Sequence, residues 1–322
     1  MRYVVGIDIG GTNLVVGTVA EDGSELVGEV SEPTHSEEGA DAVMDRIGRL
    51  VKTSIAGARG KKIAGVGVGS PGPLDTARGV VLFTPNLGWT NFPLRDRISQ
   101  LTGLPAELDN DANCAIYGEW WRGAARGARA VVGLTIGTGI GGGIVLDGKI
   151  YHGVSDVAGE IGHTTIDPPG RRCKCGNYGC LEAYASGPAI AARAAEGIES
   201  GAETSLAKYV GGDLSRLTAQ VVYQAAHDGD LYAREVVNDT AKLLGAGVAN
   251  IINIFNPDVV VICGGVTLAG ALLFDPLRRE VHRRAFKDAV KACRIVPGEL
   301  PGTAGVFGAA AAFIHKHGSP GA

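Results

Sequence analysis

The sequence lacks the features that would place the chain in a membrane or on a nucleic acid. It has no uninterrupted apolar run of about 18 or more residues, which a membrane-spanning helix needs. It has no basic run, and the formal net charge of -4 gives no attraction to a phosphodiester backbone. The N-terminal segment, MRYVVGIDIG, is typical of a strand and not of a signal peptide. We therefore expect a cytoplasmic chain with neither a membrane nor a nucleic acid as its partner.

Cysteine is sparse as well, with six residues in a chain of 322. Cys114, Cys263 and Cys293 are scattered along the sequence, so we expect no disulfide framework. Free thiols suit a reducing compartment. The Gly-x-x-x-x-Gly-Lys-[Ser/Thr] motif is also absent, and this absence excludes a P-loop nucleotide site.

Glycine, in contrast, is abundant, with 50 residues. It clusters at residues 10–11, 137–143, 264–265 and 302–308. Glycine is used where the backbone turns with positive φ or lies close to a ligand. The length allows two domains with a core each, and the hydrophobic content of 45% is ordinary for a globular protein. The glycine clusters therefore predict a phosphate or nucleotide cleft with several walls.

The same local pattern occurs twice in the chain. Strands predicted at 4–9 and 14–20 flank a turn, and strands predicted at 130–136 and 144–146 flank the glycines at 137–143. The two copies are about 125 residues apart, which indicates an internal duplication of one α/β unit. The apolar spacing predicts helices at 37–58, 93–102, 112–121, 187–197, 213–228, 230–254, 276–286 and 305–316.

The second glycine turn has the letters of a dinucleotide-binding fingerprint, Gly-x-Gly-x-x-Gly, over 137–142. That fingerprint needs a helix after the glycines, whereas a strand follows here. We therefore interpret both turns as hairpin tips whose backbone N–H groups bind phosphate. The predicted phosphate contacts are Gly10, Gly11, Thr12, Asn13, Gly137, Thr138 and Gly139. Asp8 ends the first strand, where it would hold Mg²⁺ or cap the turn.

Four potential metal ligands fall within eighteen residues: His163, Cys173, Cys175 and Cys180. One imidazole and three thiols form a set that zinc favours, and four ligands fill a tetrahedral site. Redox-active or chance cysteines are the alternative. Glu160 and Glu182 flank the ligands and are surplus to a filled site. We therefore expect a structural zinc that holds a loop while the two carboxylates bind a substrate.

These motifs together resemble the ROK family of repressors and sugar kinases. The matching segments are DIGGT at 8–12, LTIGTGIGGG at 134–143, EIGH at 160–163 and the Cys-x-Cys-Gly-x-x-Gly-Cys-x-Glu pattern at 173–182. The resemblance runs from about residue 3 to 316. It implies an α/β, actin-like ATPase and ribonuclease H-like fold, with two duplicated domains and a cleft between them. It also implies zinc on His163, Cys173, Cys175 and Cys180.

The resemblance suggests a division of the chain. We expect a small α/β domain over 1–110, with a C-terminal helix at about 305–322 packing back on it. A large α/β domain over 111–304 would carry the zinc loop. ROK repressors have a helix-turn-helix before the first strand, and this sequence begins at that strand, so direct DNA binding is not expected.

The activity implied by the resemblance is ATP-dependent phosphorylation of a hexose at its 6-hydroxyl, glucose above all, with Mg²⁺ and a place in glycolysis. Other hexoses, such as N-acetylmannosamine or fructose, stay open, and so does a polyphosphate donor. A non-catalytic, sugar-sensing regulator is the alternative from another class. Similar enzymes are dimers or tetramers, so we expect a homo-oligomer.

The resemblance also assigns roles to single residues. Asp111 would accept the proton of the sugar hydroxyl. Without the resemblance, Asp111 would be interpreted as the N-cap of the next helix, and Asp109 is a rival base. The predicted sugar ligands are Gly72, Asn110, Asp111, Glu160, His163 and Glu182. Gly264 and Gly265, after a strand predicted at 259–263, would lie against the adenosine.

Overall fold

The structure is a computed structural model that describes residues 1–318. Its strands are β1 Arg2–Ile9, β2 Asn13–Ala20, β3 Leu26–Pro33, β4 Lys62–Ser70, β5 Leu74–Asp75, β6 Val80–Thr84, β7 Trp89–Phe92, β8 Ala106–Asn110, β9 Ala130–Ile136, β10 Ile140–Leu146, β11 Lys149–Ile150, β12 Val259–Cys263 and β13 Arg294–Pro297. Its α-helices are α1 Ala40–Gly57, α2 Leu94–Thr102, α3 Asp111–Arg122, α4 Glu182–Ala185, α5 Gly187–Glu199, α6 Leu206–Tyr209, α7 Ala219–His227, α8 Leu231–Phe255, α9 Ala271–Arg284, α10 Lys287–Ala292 and α11 Ala304–His317.

The strands form two five-stranded sheets with the same connectivity. Their orders are β3-β2-β1-β4-β8 and β11-β10-β9-β12-β13. In both sheets the first strand along the chain is central, with the second and third on one side and the fourth and last on the other. β1 runs parallel to β4 and β9 runs parallel to β12. This repeated order is what the predicted duplication of one α/β unit requires.

The chain forms two compact units, defined by its contacts. One comprises Met1–Arg129, Gly143–Gly159 and Glu299–Ala322, and the other comprises Ala130–Gly142 and Glu160–Gly298. The predicted boundary after residue 110 differs from this division, because α3 packs along α11 in the first unit. The predicted end of the C-terminal helix near residue 322 lies outside the described residues.

The first unit has a core on both faces of its sheet. Odd-numbered β1 residues such as Val5 and Ile7 pack with α1, whereas Val4 packs with Val306 and Phe313 of α11. This alternation follows from the two-residue period of a strand.

Glycines set how closely α3 and α11 approach each other. A Cβ at Gly308 would overlap the carbonyl oxygen of Cys114, and a Cβ at Gly118 would overlap that of Ala304. Backbone therefore lies directly against backbone at this helix crossing. Two positions without side chains, one in each helix, are what permit the contact.

Several element boundaries differ from those predicted. The helix predicted at 213–228 begins only at Ala219, because the Thr218 hydroxyl caps it by accepting from the Val221 N–H at 3.2 Å. β10 begins at Ile140, so the last glycines of 137–143 belong to a strand and not to the loop tip. The helix predicted from Pro276 begins five residues earlier, at Ala271.

A small antiparallel sheet was not predicted from the sequence. Its order is β5-β6-β7, and it occupies residues 74–92. Trp89 of β7 is buried and stacks on Phe92 at 4.5 Å between ring centroids. Among residues 1–318, no helix combines the length and the apolar character needed to cross a bilayer.

Candidate active site and metal centre

The four predicted metal ligands come together in the second unit. One ligand atom from each of His163, Cys173, Cys175 and Cys180 lies within 4.8 Å of all the others. The Cys173 sulfur is 3.7 Å from Nδ1 of His163, and the sulfurs of Cys175 and Cys180 are also 3.7 Å apart. Tetrahedral zinc with Zn–S bonds of about 2.3 Å places its ligands about 3.7 Å apart. The donor set and its spacing therefore fit zinc.

A short hairpin carries Cys173 and Cys175, and Cys180 follows it. Arg172 and Tyr178 form an isolated bridge, and the Cys173 N–H donates to the carbonyl oxygen of Asn177 at 2.8 Å. A second bridge joins Thr165 to Cys180. Cys180 and Cys173 are buried, whereas Cys175 is exposed at the tip.

The thiols differ in how readily they ionise. Burial raises the pKa of Cys180 to about 12, whereas the backbone N–H of Asn177 lowers the pKa of Cys175. A metal ion binds the thiolate form, so ligation would supply the charge that stabilises Cys180 as a thiolate.

His163 has two ring nitrogens with different surroundings. Nδ1 faces the cysteines, and Nε2 lies 3.9 Å from a carboxylate oxygen of Glu160. Binding of metal through Nδ1 leaves Nε2 for a second partner. The sequence predicted this double role but could not say which nitrogen faces the cysteines.

Two carboxyl groups of the first unit influence each other: Asp8 at the end of β1 and Asp111 at the start of α3. Burial raises the pKa of Asp8 to about 7, and the negative charge of Asp111 adds to the shift. The Asp8 carboxyl lies at the first turn of α11, where a Cβ on Gly305 would overlap it. An acidic pair of this kind is suited to a divalent cation.

The neighbours of Asp111 have structural roles. Asn110 is the N-cap of α3, since its side-chain oxygen accepts from the N–H groups of Ala112 at 2.9 Å and Asn113 at 3.1 Å. The cap occupies the side-chain oxygen of Asn110 and leaves its amide NH₂, a donor, for another partner.

Asp109 is tied into the first unit through both carboxylate oxygens. Oδ1 accepts from the side chain of Asn113 at 3.1 Å, and Oδ2 lies 2.8 Å from Nε2 of His152. This hydrogen bond raises the pKa of His152. Asp109 is also buried, so its carboxylate is enclosed by partners of the same unit.

The first glycine turn links β1 to β2. The Gly10 N–H donates to the carbonyl oxygen of Asn13 at 2.9 Å, which closes the turn. Thr34 supports it from the end of β3, with its hydroxyl on the carbonyl oxygen of Gly10 at 2.7 Å and its N–H on that of Thr12 at 2.8 Å. Gly11, Thr12 and Asn13 are exposed. A Cβ on Gly72, another predicted sugar contact, would meet the Leu74 side chain at 2.7 Å.

The second glycine turn links β9 to β10. The Gly137 N–H donates to the carbonyl oxygen of Gly139 at 2.9 Å. The Ile140 N–H donates to Oε2 of Glu182 at 2.8 Å, so a predicted sugar ligand contacts the predicted phosphate loop. Oε1 of Glu182 lies 3.8 Å from the sulfur of Cys173.

A cavity of about 570 Å³ opens beside this turn within the second unit. Three predicted nucleotide residues, Gly137, Thr138 and Gly265, line it, and Gly264 directly precedes Gly265. The rest of its wall comes from the end of β9, from α5, from α7 with the segment before it, and from the segment after β12. These residues are mostly small or apolar: Pro188, Ala191, Ala192, Ala195, Leu214, Leu217, Ala219, Val266 and Leu268.

This wall was not predicted from the sequence, and neither was His152. Pro188, Ala191, Ala192 and Ala195 recur at the spacing of one helical face, and such a stripe of small residues was the available signal. For His152 no local pattern existed, because its partner Asp109 is 43 residues away in the sequence.

Two α/β sheets of one strand order, each with a glycine turn after its first strand, define the actin-like ATPase class of folds. The chain belongs to the ROK family, whose family model matches residues 4–316. Both the fold class and the family predicted from the sequence are thereby confirmed.

Individual relatives cover nearly the whole chain. The glucokinase of Thermotoga maritima is 38% identical over 316 residues, which are 98% of each chain. A solved ROK family glucokinase from Streptomyces griseus, in complex with glucose and AMPPNP, is 35% identical with a TM-score of 0.82, covering 96% of this chain and 98% of that one. A putative xylose repressor of Caldicellulosiruptor is 34% identical over 97% of this chain and 78% of its own length.

Proposed function

We propose that the chain is an ATP-dependent hexose kinase that transfers the terminal phosphoryl group of ATP to the 6-hydroxyl of glucose. The observation that carries the proposal is the pair formed by Asp8 and Asp111, each at the end of a strand or the start of a helix, in a chain similar throughout to glucokinases. Phosphoryl transfer needs in-line positioning, charge neutralisation and a proton acceptor.

Asp111 is the proton acceptor in this proposal. It is the first residue of α3, and its Oδ1 accepts from the Ala112 N–H at 2.8 Å, which holds the carboxylate in place. A carboxylate of ordinary basicity suffices, because the proton leaves the sugar oxygen as that oxygen gains phosphorus.

The groups that would hold the sugar are Gly72, Asn110, Glu160, His163 and Glu182. Asn110 would donate through its amide, and Glu160 and Glu182 would accept from hydroxyls. Such acceptors discriminate against a sugar that lacks a hydroxyl, since they would be left unpaired. Nε2 of His163 is the ring nitrogen available to a hydroxyl when Nδ1 binds the metal.

The nucleotide phosphates would lie against Gly10, Gly11, Thr12 and Asn13 and against the turn at 137–139. The 570 Å³ cavity, with Gly265 in its wall and Gly264 beside it, would take the adenosine. Its small and apolar lining suits the faces of a base. Asp8 would hold Mg²⁺, directly or through water, and Mg²⁺ would neutralise charge on the phosphates.

Zinc would bind His163, Cys173, Cys175 and Cys180 and would have a structural role. It would fix the hairpin that leads to Glu182 at the start of α4, and the segment that carries Glu160. Reduced thiols at such a centre suit the cytoplasm, where we place the protein. Assembly into dimers or tetramers stays a prediction of the family resemblance.

The test is a matrix of phosphoryl donors and sugars assayed on the purified protein by coupled detection of ADP. We expect the highest kcat/KM for ATP with glucose. Asp111→Ala should lower kcat by at least about 1,000-fold while the Kd for glucose changes little. Substantial turnover by Asp111→Ala would place the base elsewhere.

A regulator that binds sugar without catalysis is the second candidate, because the chain is also similar to a xylose repressor. Glucose-dependent ADP production at ordinary turnover would exclude it. Preference for N-acetylmannosamine or fructose, or for polyphosphate as donor, would appear in the same matrix and would redefine the substrate without changing the class of enzyme.

A further inference from the structure

We infer that Glu182 is a positioning residue for the nucleotide, because it couples the metal centre to the phosphate-binding turn at 137–140. This inference rests on the proposed kinase function and deepens it. A role for Glu182 toward the sugar alone would not explain the contacts that its carboxylate makes inside the second unit.

The first contact is a charge-assisted hydrogen bond. Oε2 of Glu182 accepts from the Ile140 N–H at 2.8 Å, and Ile140 is the residue with which the turn passes into β10. A carboxylate bound to a backbone N–H makes one of the stronger hydrogen bonds in proteins. The bond therefore fixes the C-terminal end of the turn.

The absence of a side chain at residue 139 is part of the same arrangement. A Cβ on Gly139 would lie 2.5 Å from Oε2 of Glu182. Any other residue at 139 would therefore displace the carboxylate from the Ile140 N–H. The glycine that the phosphate-loop pattern requires thus also makes room for Glu182.

A second contact holds the other end of the turn. The Gly187 N–H, at the start of α5, donates to the carbonyl oxygen of Gly137 at 2.9 Å. Glu182 and Gly187 belong to one continuous segment that starts at the metal ligand Cys180. This segment therefore forms a hydrogen bond with each end of the turn.

The metal centre lies at the origin of that segment. Cys180 is fully buried and is two residues from Glu182, whose Oε1 lies 3.8 Å from the sulfur of Cys173. With the ligands fixed, the position of the Glu182 carboxylate is set by the hairpin. Loss of the metal would release the hairpin and, with it, the turn that binds phosphate.

The experiment measures ADP binding by isothermal titration calorimetry without sugar, so that a defect in sugar binding cannot contribute. Glu182→Ala is expected to weaken ADP binding by at least about tenfold, since a hydrogen bond to a charged group is lost. Glu182→Gln keeps an oxygen for the Ile140 N–H and should stay within about threefold of wild type.

Glu160→Ala is the matched control, because Glu160 is a carboxylate beside the same metal centre and faces Nε2 of His163 at 3.9 Å. It should weaken glucose binding and leave ADP affinity within about twofold. If Glu182→Ala folds poorly, Gly139→Ala provides the same test. Its methyl group would displace the Glu182 carboxylate and should weaken ADP binding by a similar factor. Removing zinc with a chelator, verified by metal analysis, should also weaken ADP binding.

Equal ADP affinity in wild type, Glu182→Ala and Gly139→Ala would overturn the inference and leave Glu182 as a sugar ligand only. Unchanged ADP affinity after complete loss of zinc would overturn the coupling to the metal. Failure of the proposed function is distinguishable from failure of this inference. The proposed function fails if no sugar supports ADP production, whereas the inference fails if the variants bind ADP as tightly as wild type.

Discussion

Replacing Asp8 with asparagine removes a carboxyl group whose pKa is raised to about 7 by burial and by the charge of Asp111. In the unfolded chain an aspartate ionises near 3.8. At a pH between these two pKa values, Asp8 is protonated in the folded protein and ionised in the unfolded chain. The free energy of unfolding therefore falls as pH rises through this window, because the unfolded state binds fewer protons.

The size of the effect follows from the two pKa values. The difference between a pKa of about 7 and one of 3.8 corresponds to about 4 kcal/mol when Asp8 is fully ionised. The asparagine of the variant does not titrate. Part of this loss lies below pH 4.5, so the stability of wild type relative to Asp8→Asn should fall by about 3 kcal/mol between about pH 4.5 and about pH 7.5.

The assay can be confined to the unit that contains Asp8. All three tryptophans of the chain, Trp89, Trp120 and Trp121, belong to that unit. Urea unfolding followed by tryptophan fluorescence, without Mg²⁺ or nucleotide, therefore reports its stability. Comparing wild type with the variant at each pH removes the contribution of other titrating groups.

A stability difference that does not change with pH would refute the assignment of a raised pKa to Asp8. Asp111→Asn provides a second check. It removes the charge of Asp111, the smaller of the two causes of the raised pKa of Asp8. The pH range over which stability falls should therefore narrow but persist, because burial is the larger cause. Complete loss of the pH dependence in Asp111→Asn would show that charge repulsion and not burial dominates.

Three further predictions concern the metal centre, the helix crossing and the half-buried His152. Cys175→Ser should lose zinc and lower the melting temperature by at least about 5 °C, whereas Cys293→Ser, outside the cluster, should keep its zinc by metal analysis. Gly308→Ala should destabilise the first unit by at least about 2 kcal/mol in urea, because the methyl group meets a backbone carbonyl. Gly48→Ala should be neutral or stabilising, since a flexible Leu101 side chain faces it. His152→Ala should destabilise most at acid pH, because the raised pKa of His152 gives stability that is present below its unfolded value and is lost as pH rises through the folded one.

Each of these has a contrary result. Wild-type protein that purifies without zinc would contradict a structural metal. Equal stability of the Gly308 and Gly48 variants would show that α3 and α11 can separate at little cost. A destabilisation by His152→Ala that grows toward alkaline pH would reverse the sign given by its hydrogen bond to Asp109.

Much of the fold could be predicted because it depends on local patterns. β9 and β12 occupy the predicted residues, since continuous apolar runs bounded by turn residues leave little choice of conformation. The helix predicted at 213–228 was too long, because the apolar spacing continues through a segment that a Thr218 cap separates from α7. The small sheet at 74–92 was not predicted, because its strands are short and the spacing of residues does not show which strands pair.

Local sequence also predicted part of the candidate site. The amino-acid types alone determined the metal set, since one imidazole and three thiols within eighteen residues have few other uses. Periodicity and glycine placement determined where the two glycine turns lie. These inferences needed only neighbours in the sequence.

Only the tertiary structure decided which atoms meet. It assigned Nδ1 of His163 to the cysteines, the side-chain oxygen of Asn110 to the cap of α3, and one oxygen of Glu182 to the Ile140 N–H, 42 residues away in the sequence. The physical reason is range: residue type and period act over a few residues, whereas hydrogen bonds between distant segments depend on how whole elements pack.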